Sequence, residues 1–283
     1  MTRTDSPSKL PPTIREILHE DRAFQDETSL LLVPQDARAR GRLIARQAGV
    51  LAGCSFAEQA FVALDADIVL DWHFQDGDAL QSEDVALSLS GSARGILAAE
   101  RTALNFLQQL SGVATQTAQL VALAAPVQVL DTRKTIPGLR DAQKSAVAAG
   151  GGTNHRRDLH DQILIKENHL ALSGLSFQDA VRLALQESDG KWVGVEAQTE
   201  SEAEMALELG AHYVLLDNFS IEDLGPMAER LRARFPRAVL EASGGFDQNN
   251  LAALASLPLD RVSVGALTHS SPALDFSLLL ERA

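Results

Sequence analysis

Beyond residue 126, short apolar runs alternate with amphipathic stretches, and little irregular chain separates them. Segments 127–131, 163–166, 192–196, 213–217, 238–242 and 261–265 have the length and composition of strands. Segments 139–149, 176–186, 199–209, 221–235 and 250–257 carry helical spacing, and Thr199 with Glu202 reads as a capping box at the start of one of them. Strands that alternate with helices in this way predict right-handed βαβ units and a parallel sheet.

The first part of the chain is less regular. A short helix is expected over 14–19, strands over 29–33 and 41–51, and a helix over 56–64 capped by Ser55. Strands follow over 67–72 and 85–91, the second alternating by face as a half-exposed antiparallel strand does. A long helical pattern runs over 92–110, with Leu97, Arg101, Leu104 and Gln108 at spacings that share a face. Ser111-Gly112 is expected to break it before a second helix that ends near residue 124. The first part thus reads as a strand-rich α+β unit, and the domain boundary belongs near the break.

Composition narrows the function. The 283 residues can bury a substantial core, and the formal charge of -13 argues against nucleic acid and against an anionic membrane surface. No apolar run reaches membrane-spanning length. Residues 1–12 are polar, carry three prolines and are expected to form a flexible lead-in rather than a signal peptide. A single cysteine, Cys54, excludes an internal disulfide and reads as a small buried residue. The balance points to the cytoplasm.

The polar residues fall in phase with the strands. Arg133 and Lys134 follow the first strand, and Lys166 ends the second. Glu196 ends the third and Asp217 the fourth. Ser243-Gly244-Gly245 follows the fifth, and Gly265-Ala266 ends the sixth. A lone charge at a strand end is ordinarily just solvated. Six strand ends in phase indicate one mouth, which is where α/β barrels carry their chemistry. A doubly wound open sheet also gathers strand ends, but no GxGxxG follows the first strand.

The chemistry of these residues suggests an anionic ligand. Arg133, Lys134, Arg156 and Lys166, near Gly150-Gly151-Gly152 and His155, suit a multiply anionic small molecule, since arginine forks match carboxylates and phosphates. Glu196 and Asp217 could act as an acid/base pair or hold a hard divalent cation. With cations opposite, the second role fits better, because Mg2+ binds through one or two carboxylates plus substrate phosphates. Glycine turns let backbone amides approach phosphate. The residues therefore fit a phosphorylated sugar with a metal-bound pyrophosphate, and a carboxylated co-substrate on the arginines.

Several motifs together resemble the quinolinate phosphoribosyltransferase family. They are Glu100-Arg101-Thr102-Ala103-Leu104-Asn105-Phe106-Leu107 with Ser111-Gly112, Asp131-Thr132-Arg133-Lys134-Thr135 with Pro137-Gly138-Leu139-Arg140, and the triple glycine with His155-Arg156. Further along stand Leu164-Ile165-Lys166-Glu167-Asn168-His169, Leu216-Asp217-Asn218-Phe219, Leu240-Glu241-Ala242-Ser243-Gly244-Gly245 and Ser263-Val264-Gly265-Ala266-Leu267-Thr268-His269. The resemblance implies an N-terminal α/β sandwich over 1–113, joined by 271–283, and an incomplete six-stranded α/β barrel over 114–270. It implies transfer of phosphoribose from 5-phosphoribosyl 1-diphosphate to quinolinate with Mg2+, giving nicotinate mononucleotide, pyrophosphate and CO2. It also implies a homodimer or higher oligomer in which Arg101 reaches the neighbour's quinolinate.

By motif position, Arg133, His155, Arg156 and Lys166 would line the dicarboxylate. Lys134, with Lys166, would face the ribosyl diphosphate, and Glu196 and Asp217 would serve metal and ribose. Ser243, Gly244, Gly245 and Gly265 would cradle the 5-phosphate, with Thr132, Val264 and Ala266 lining the pocket. Lys134, Lys166, Glu196 and Asp217 are the residues expected at the reacting bond, and His169 and His269 are read as structural support. Three features depart from the family pattern: Gln25 before Asp26, where a glycine is usual, and Gly194 and Gln198, in a segment often richer in glutamate. Rival readings are a molybdenum-transport-associated homologue, a Schiff-base enzyme using Lys166, and a non-catalytic anion-binding regulator.

Overall fold

The structure is a computed structural model that describes residues 13–283; the lead-in expected over 1–12 lies outside the described residues. The chain divides into two compact units. One holds the chain up to Gln116 with Ile136–Gly150 and Ser271–Ala283, and the other holds Thr117–Thr135 and Gly151–Ser270. By compactness the chain divides at Gln116/Thr117, and Ile136–Gly150 groups with the first unit.

The first unit begins with α1 (Ile14–Glu20) and α2 (Glu27–Leu32), followed by β1 (Arg38–Ala45), β2 (Gly49–Val50) and α3 (Cys54–Leu64). Then come β3 (Val69–Trp72), β4 (Ala79–Leu80), β5 (Val85–Ser92) and the start of α4 (Ala93–Ala124). The C-terminal strand Phe276–Arg282 pairs antiparallel along β1; β1 pairs with β5, and β5 with β3. Along β1, Arg38, Arg40 and Arg42 are exposed while Ala39, Gly41 and Leu43 are buried. The sheet therefore has one wet face and one packed face, as antiparallel sheets permit.

Four expectations for this unit need correction. Segment 29–33 forms the helix α2 and no strand. The Asp26 carboxylate accepts from the Ser29 backbone N–H at its start, and the leucine run is apolar without specifying a period. The strand expected over 41–51 starts at Arg38 and stops at Ala45, with only Gly49–Val50 beyond. Ser55 does not cap α3: Gly53, at φ +99°, stands at the N-cap, and the Cys54 N–H donates to Asp76 Oδ1 at 3.0 Å. Finally, Ser111-Gly112 does not break the long helix, which runs unbroken through α4. Ser111 Oγ accepts from the Ala52 N–H at 2.9 Å, and a β-carbon at Gly112 would run into the Pro272 carbonyl. The glycine is a point of close approach and no break.

The remaining elements are β6 (Gln128–Leu130), α5 (Arg140–Ala149), β7 (Ile163–Ile165), α6 (Glu167–Ser173), α7 (Phe177–Gln186), β8 (Val193–Ala197) and α8 (Glu200–Glu208). After them come β9 (Tyr213–Asp217), α9 (Ile221–Arg234), β10 (Val239–Ser243), β11 (Arg261–Ser263), α10 (Ala266–His269) and β12, the C-terminal strand (Phe276–Arg282). Segment 250–257 holds a 3-10 helix, Leu251–Ser256, without a side-chain cap. The six strands of the second unit pair in parallel in the order β6-β11-β10-β9-β8-β7. From β7 to β11 each strand lies beside its successor in the chain, and the first strand, β6, pairs with the last, β11, as in a barrel and not as around a doubly wound switch point. The sheet is an incomplete barrel, open between β6 and β7. Thr153 partly covers that edge, bridging in parallel to Leu130, the last residue of β6.

Register carries the site. Glu196 pairs with Leu215, Leu215 with Glu241, and Glu241 with Arg261. Paired residues of parallel strands share a face, so this row forms one layer, with Asp217, Ser243 and Ser263 one step nearer the C-terminal ends. Replacing Gly112 by Ala is expected to lower stability by roughly 1–3 kcal/mol through overpacking. Equilibrium urea denaturation measures it, and an unchanged midpoint would remove the close-approach explanation.

Candidate active site

The C-terminal strand ends of the second unit enclose a cavity of about 880 Å3. Thr132, Arg133, Lys134, His155, Arg156, Lys166, Glu196, Asp217, Ser243, Gly244, Gly245, Val264, Gly265 and Ala266 all line it. Arg101 stands exposed on α4, in the first unit, and the cavity is built from the second unit alone.

Each charged group is held by local structure. After β6, Thr132 Oγ1 accepts from the Lys134 N–H at 3.0 Å, and the Lys134 carbonyl accepts from Thr268 Oγ1 at 2.8 Å. A β-carbon at Gly265 would lie 2.9 Å from Lys134 Cδ, so the glycine leaves room for the lysine stem. Asp131, fully buried at the end of β6, accepts from the His155 N–H at 2.9 Å and ties down the loop that carries His155 and Arg156. Arg156 is buried and donates to the Gln162 carbonyl at 3.3 Å. Burial lowers its proton affinity most, and nearby Arg133 adds to that; Tyr213, Asp161 and Glu196 oppose it. Arg156 is therefore a largely dehydrated cation, the state in which a bound anion gains most.

Lys166 and Glu196 form an ion pair between the end of β7 and β8, with Glu196 almost fully buried. Burial pushes the Glu196 carboxyl up to about 7. A hydrogen bond with Glu167 and the charge of Asp217 push the same way, while Lys166 opposes. The same hydrogen bond is the main cause holding the Glu167 carboxyl below its usual range. At the end of β9, Asn218 Nδ2 donates to Asp217 Oδ2 at 2.6 Å, and its N–H donates to the Ser243 carbonyl at 2.9 Å. Asn218 adopts φ +59°, and a β-carbon on Gly244, at φ +99°, would collide with its side chain. Only glycine fits that turn, so no side chain covers its backbone.

Other lining residues carried no distinct sequence signal. Glu167, Asn218, Phe246, Asp247 and His269 all face the cavity. Of these, Glu167, Asn218 and His269 lie inside the matched motifs, where the pairing of an acid with Glu196 could have been sought. His169 Nδ1 accepts from the Lys166 N–H at 3.0 Å, a supporting contact. Gln198 lines the cavity, while its N–H donates to Glu202 Oε2 at 2.8 Å. That bond completes the start of α8 together with Thr199 Oγ1, which accepts from Glu202. Cys54 is half-buried, and burial, with Asp76, pushes its thiol up, so it is not a reactive thiolate.

Comparison with known proteins decides the lineage. Residues 26–111 match the N-terminal domain model of quinolinate phosphoribosyl transferase, and residues 113–279 match the C-terminal domain model. The chain belongs to the quinolinate phosphoribosyl transferase family. It is 38% identical to the nicotinate-nucleotide pyrophosphorylase [carboxylating] of Mycobacterium leprae, over 94% of this chain and 95% of that one. It is 37% identical to the human enzyme of that name, over 96% and 93%. NadC from Streptococcus pyogenes superposes with a TM-score of 0.90 at 36% identity, covering 100% of both chains. The Francisella tularensis nicotinate-nucleotide pyrophosphorylase gives 0.89 at 41%, covering 95% and 94%.

The raised Glu196 carboxyl has a consequence for stability. Between its ordinary value of 4.5 and about 7 the folded protein holds a proton that the unfolded chain has lost. Glu196 therefore favours folding below that window and costs stability as pH rises through it. Glu196→Gln is expected to flatten this slope in denaturation at pH values spanning the window. A slope as steep in the variant as in the parent would assign it to other groups.

Proposed function

We propose that this chain transfers the phosphoribosyl group of 5-phosphoribosyl 1-diphosphate to quinolinate, with decarboxylation, in NAD biosynthesis. The observation that carries the reading is one cavity in which Arg133, Lys134, Arg156 and Lys166 face Glu196, Asp217 and a bare glycine turn. Arg133 and Arg156 hold the two carboxylates of the diacid, because guanidinium forks match carboxylates two bonds at a time. Lys134 faces the diphosphate. The turn at Gly244-Gly245 offers uncovered backbone to the 5-phosphate, and Asn250 fixes it by donating to the Gly245 carbonyl at 3.0 Å.

As the bond from ribose C1 to pyrophosphate breaks, positive charge grows on the sugar. Asp217 and ionised Glu196 stabilise it, and the quinolinate nitrogen bonds to C1. The carboxylate beside that nitrogen then leaves as CO2, its electron pair drawn toward the cationic ring, and the ring carbon takes a proton from solvent. Preorganised charges of this type contribute about 3–4 kcal/mol each. Such charges need no reorientation when the sugar cation forms.

Among the described residues no group of three or more His, Cys, Asp or Glu is arranged around a metal. Two carboxylates that reach one cavity and repel each other nonetheless suit Mg2+ that arrives with the diphosphate. Glu196 and Asp217 would hold it, and it would neutralise charge on the departing pyrophosphate. The reading includes a homodimer in which Arg101 reaches the neighbour's diacid. Its support is an exposed arginine with no acidic residue three or four positions away on α4. No helix of the described residues is long and apolar enough to cross a membrane, and the reading places the enzyme in the cytoplasm.

The rival Schiff-base role for Lys166 finds little support, since its amine is engaged by Glu196 and not isolated in an apolar pocket. Purified protein with quinolinate, the ribosyl diphosphate and Mg2+ is expected to release CO2, and nicotinate in place of quinolinate to release none. Absence of release with quinolinate would remove the reading. Inactive Arg101→Ala and Lys166→Ala chains, mixed as dimers, are expected to regain activity because one site of each mixed dimer is intact. Verified mixed dimers without activity would refute the shared site.

A further inference from the structure

Behind the cavity, β10 and β11 carry two charges that the proposed chemistry does not use. Glu241 is completely buried, and the Arg261 side chain is only 13% exposed. The two are register partners on the parallel strands, and Arg261 Nε lies 2.7 Å from Glu241 Oε2. The guanidinium sits 4.4 Å from the centre of the Tyr213 ring and 5.8 Å from that of Trp192. Tyr213 in turn fills the space that any side chain at Gly194 would need. Glycine at position 194 therefore makes room for this aromatic bed.

The second Glu241 oxygen, Oε1, faces His155 Nε2 at 3.3 Å. The Arg261 contact joins opposite charges in a dry interior, and the His155 contact is close enough for a ring N–H to point at the carboxylate and favour its charged form. On its other side the His155 ring accepts the Arg156 N–H on Nδ1 at 2.6 Å. A ring nitrogen that accepts carries no proton, so the ring proton is on Nε2, directed at Glu241. Both nitrogens of His155 are therefore committed to the protein, although the residue lines the cavity.

We propose that His155 is a positioning residue and not a direct ligand of the diacid, and that Glu241, anchored by Arg261, sets its orientation. The chain of support runs from Arg261 to Glu241, to the His155 ring, to the main chain of Arg156. Its product is the placement of a buried guanidinium whose other bond goes to the Gln162 carbonyl. The inference rests on reading the cavity as the quinolinate site. It assigns diacid recognition to Arg133, Arg156 and Lys166 without a hydrogen bond from His155.

The ring proton can be located directly by nitrogen NMR of the full-length protein, with His155 assigned by substitution. The proton is expected on Nε2, with Nδ1 bare, both before and after addition of quinolinate alone. A proton on Nδ1, or on both nitrogens, in either state would overturn the proposal. Glu241→Gln is expected to raise the KM for quinolinate roughly tenfold, as loss of a supporting group behind a ligand does, and to leave the KM for the ribosyl diphosphate within about twofold. That variant also strands the Arg261 charge and weakens the fold. Glu241→Gln combined with Arg261→Met removes the stranded charge and is expected to recover stability while keeping the raised quinolinate KM. A normal quinolinate KM in the double variant, or equal rises in both KM values, would overturn the proposal. Lack of turnover by the parent protein would strike the proposed reaction instead, and the NMR measurement tests the arrangement without turnover.

Discussion

Dehydrated charge at the tips of parallel strands is the constraint on which the site depends. Glu196, Arg156 and Asp131 are all buried, and each costs free energy to remove from water unless a partner compensates. Asp131 and Arg156 are compensated by fixed backbone groups, and Glu196 by Lys166. What remains uncompensated is the pressure on the Glu196 proton. A carboxylate kept ionised there, in low dielectric, stabilises a sugar cation far more than an exposed one does. The free protein bears the cost, and a cationic transition state relieves it.

The sheet makes this arrangement possible. Parallel strands in direct register align equivalent positions in rows, so charges on different strands reach one mouth without long connecting loops. In the row that also holds Glu196, the same register aligns Glu241 with Arg261. There the two charges lie behind the cavity and support it. Glycines at 194, 244 and 265 serve the same end, each marking a place where a neighbour must come close.

Much of this was legible in the sequence, for a physical reason. Short strands between amphipathic helices leave a two-state pattern that is hard to misread, and Tyr213–Asp217 forms the strand the pattern predicts. The cavity residues were legible because their spacing is locked to strand ends. The first unit was harder. Leu30-Leu31-Leu32 is apolar, yet the Asp26 cap makes it helical and leaves it exposed. Gly112 looked like a helix break because nothing local discloses the Pro272 carbonyl that it admits. The partnership of Glu241 with His155 joins residues 86 positions apart, and only the folded chain brings them together.

The central claim is that paired guanidinium groups in one cavity recognise a diacid. Calorimetric titration of the protein with quinolinate and with nicotinate tests this directly, with Arg156→Ala beside the parent. The account predicts that quinolinate binds at least about tenfold tighter than nicotinate, roughly 1.4 kcal/mol, and that Arg156→Ala erases the difference. Equal affinity of the parent for the two acids, or a preference that survives in Arg156→Ala, would contradict it.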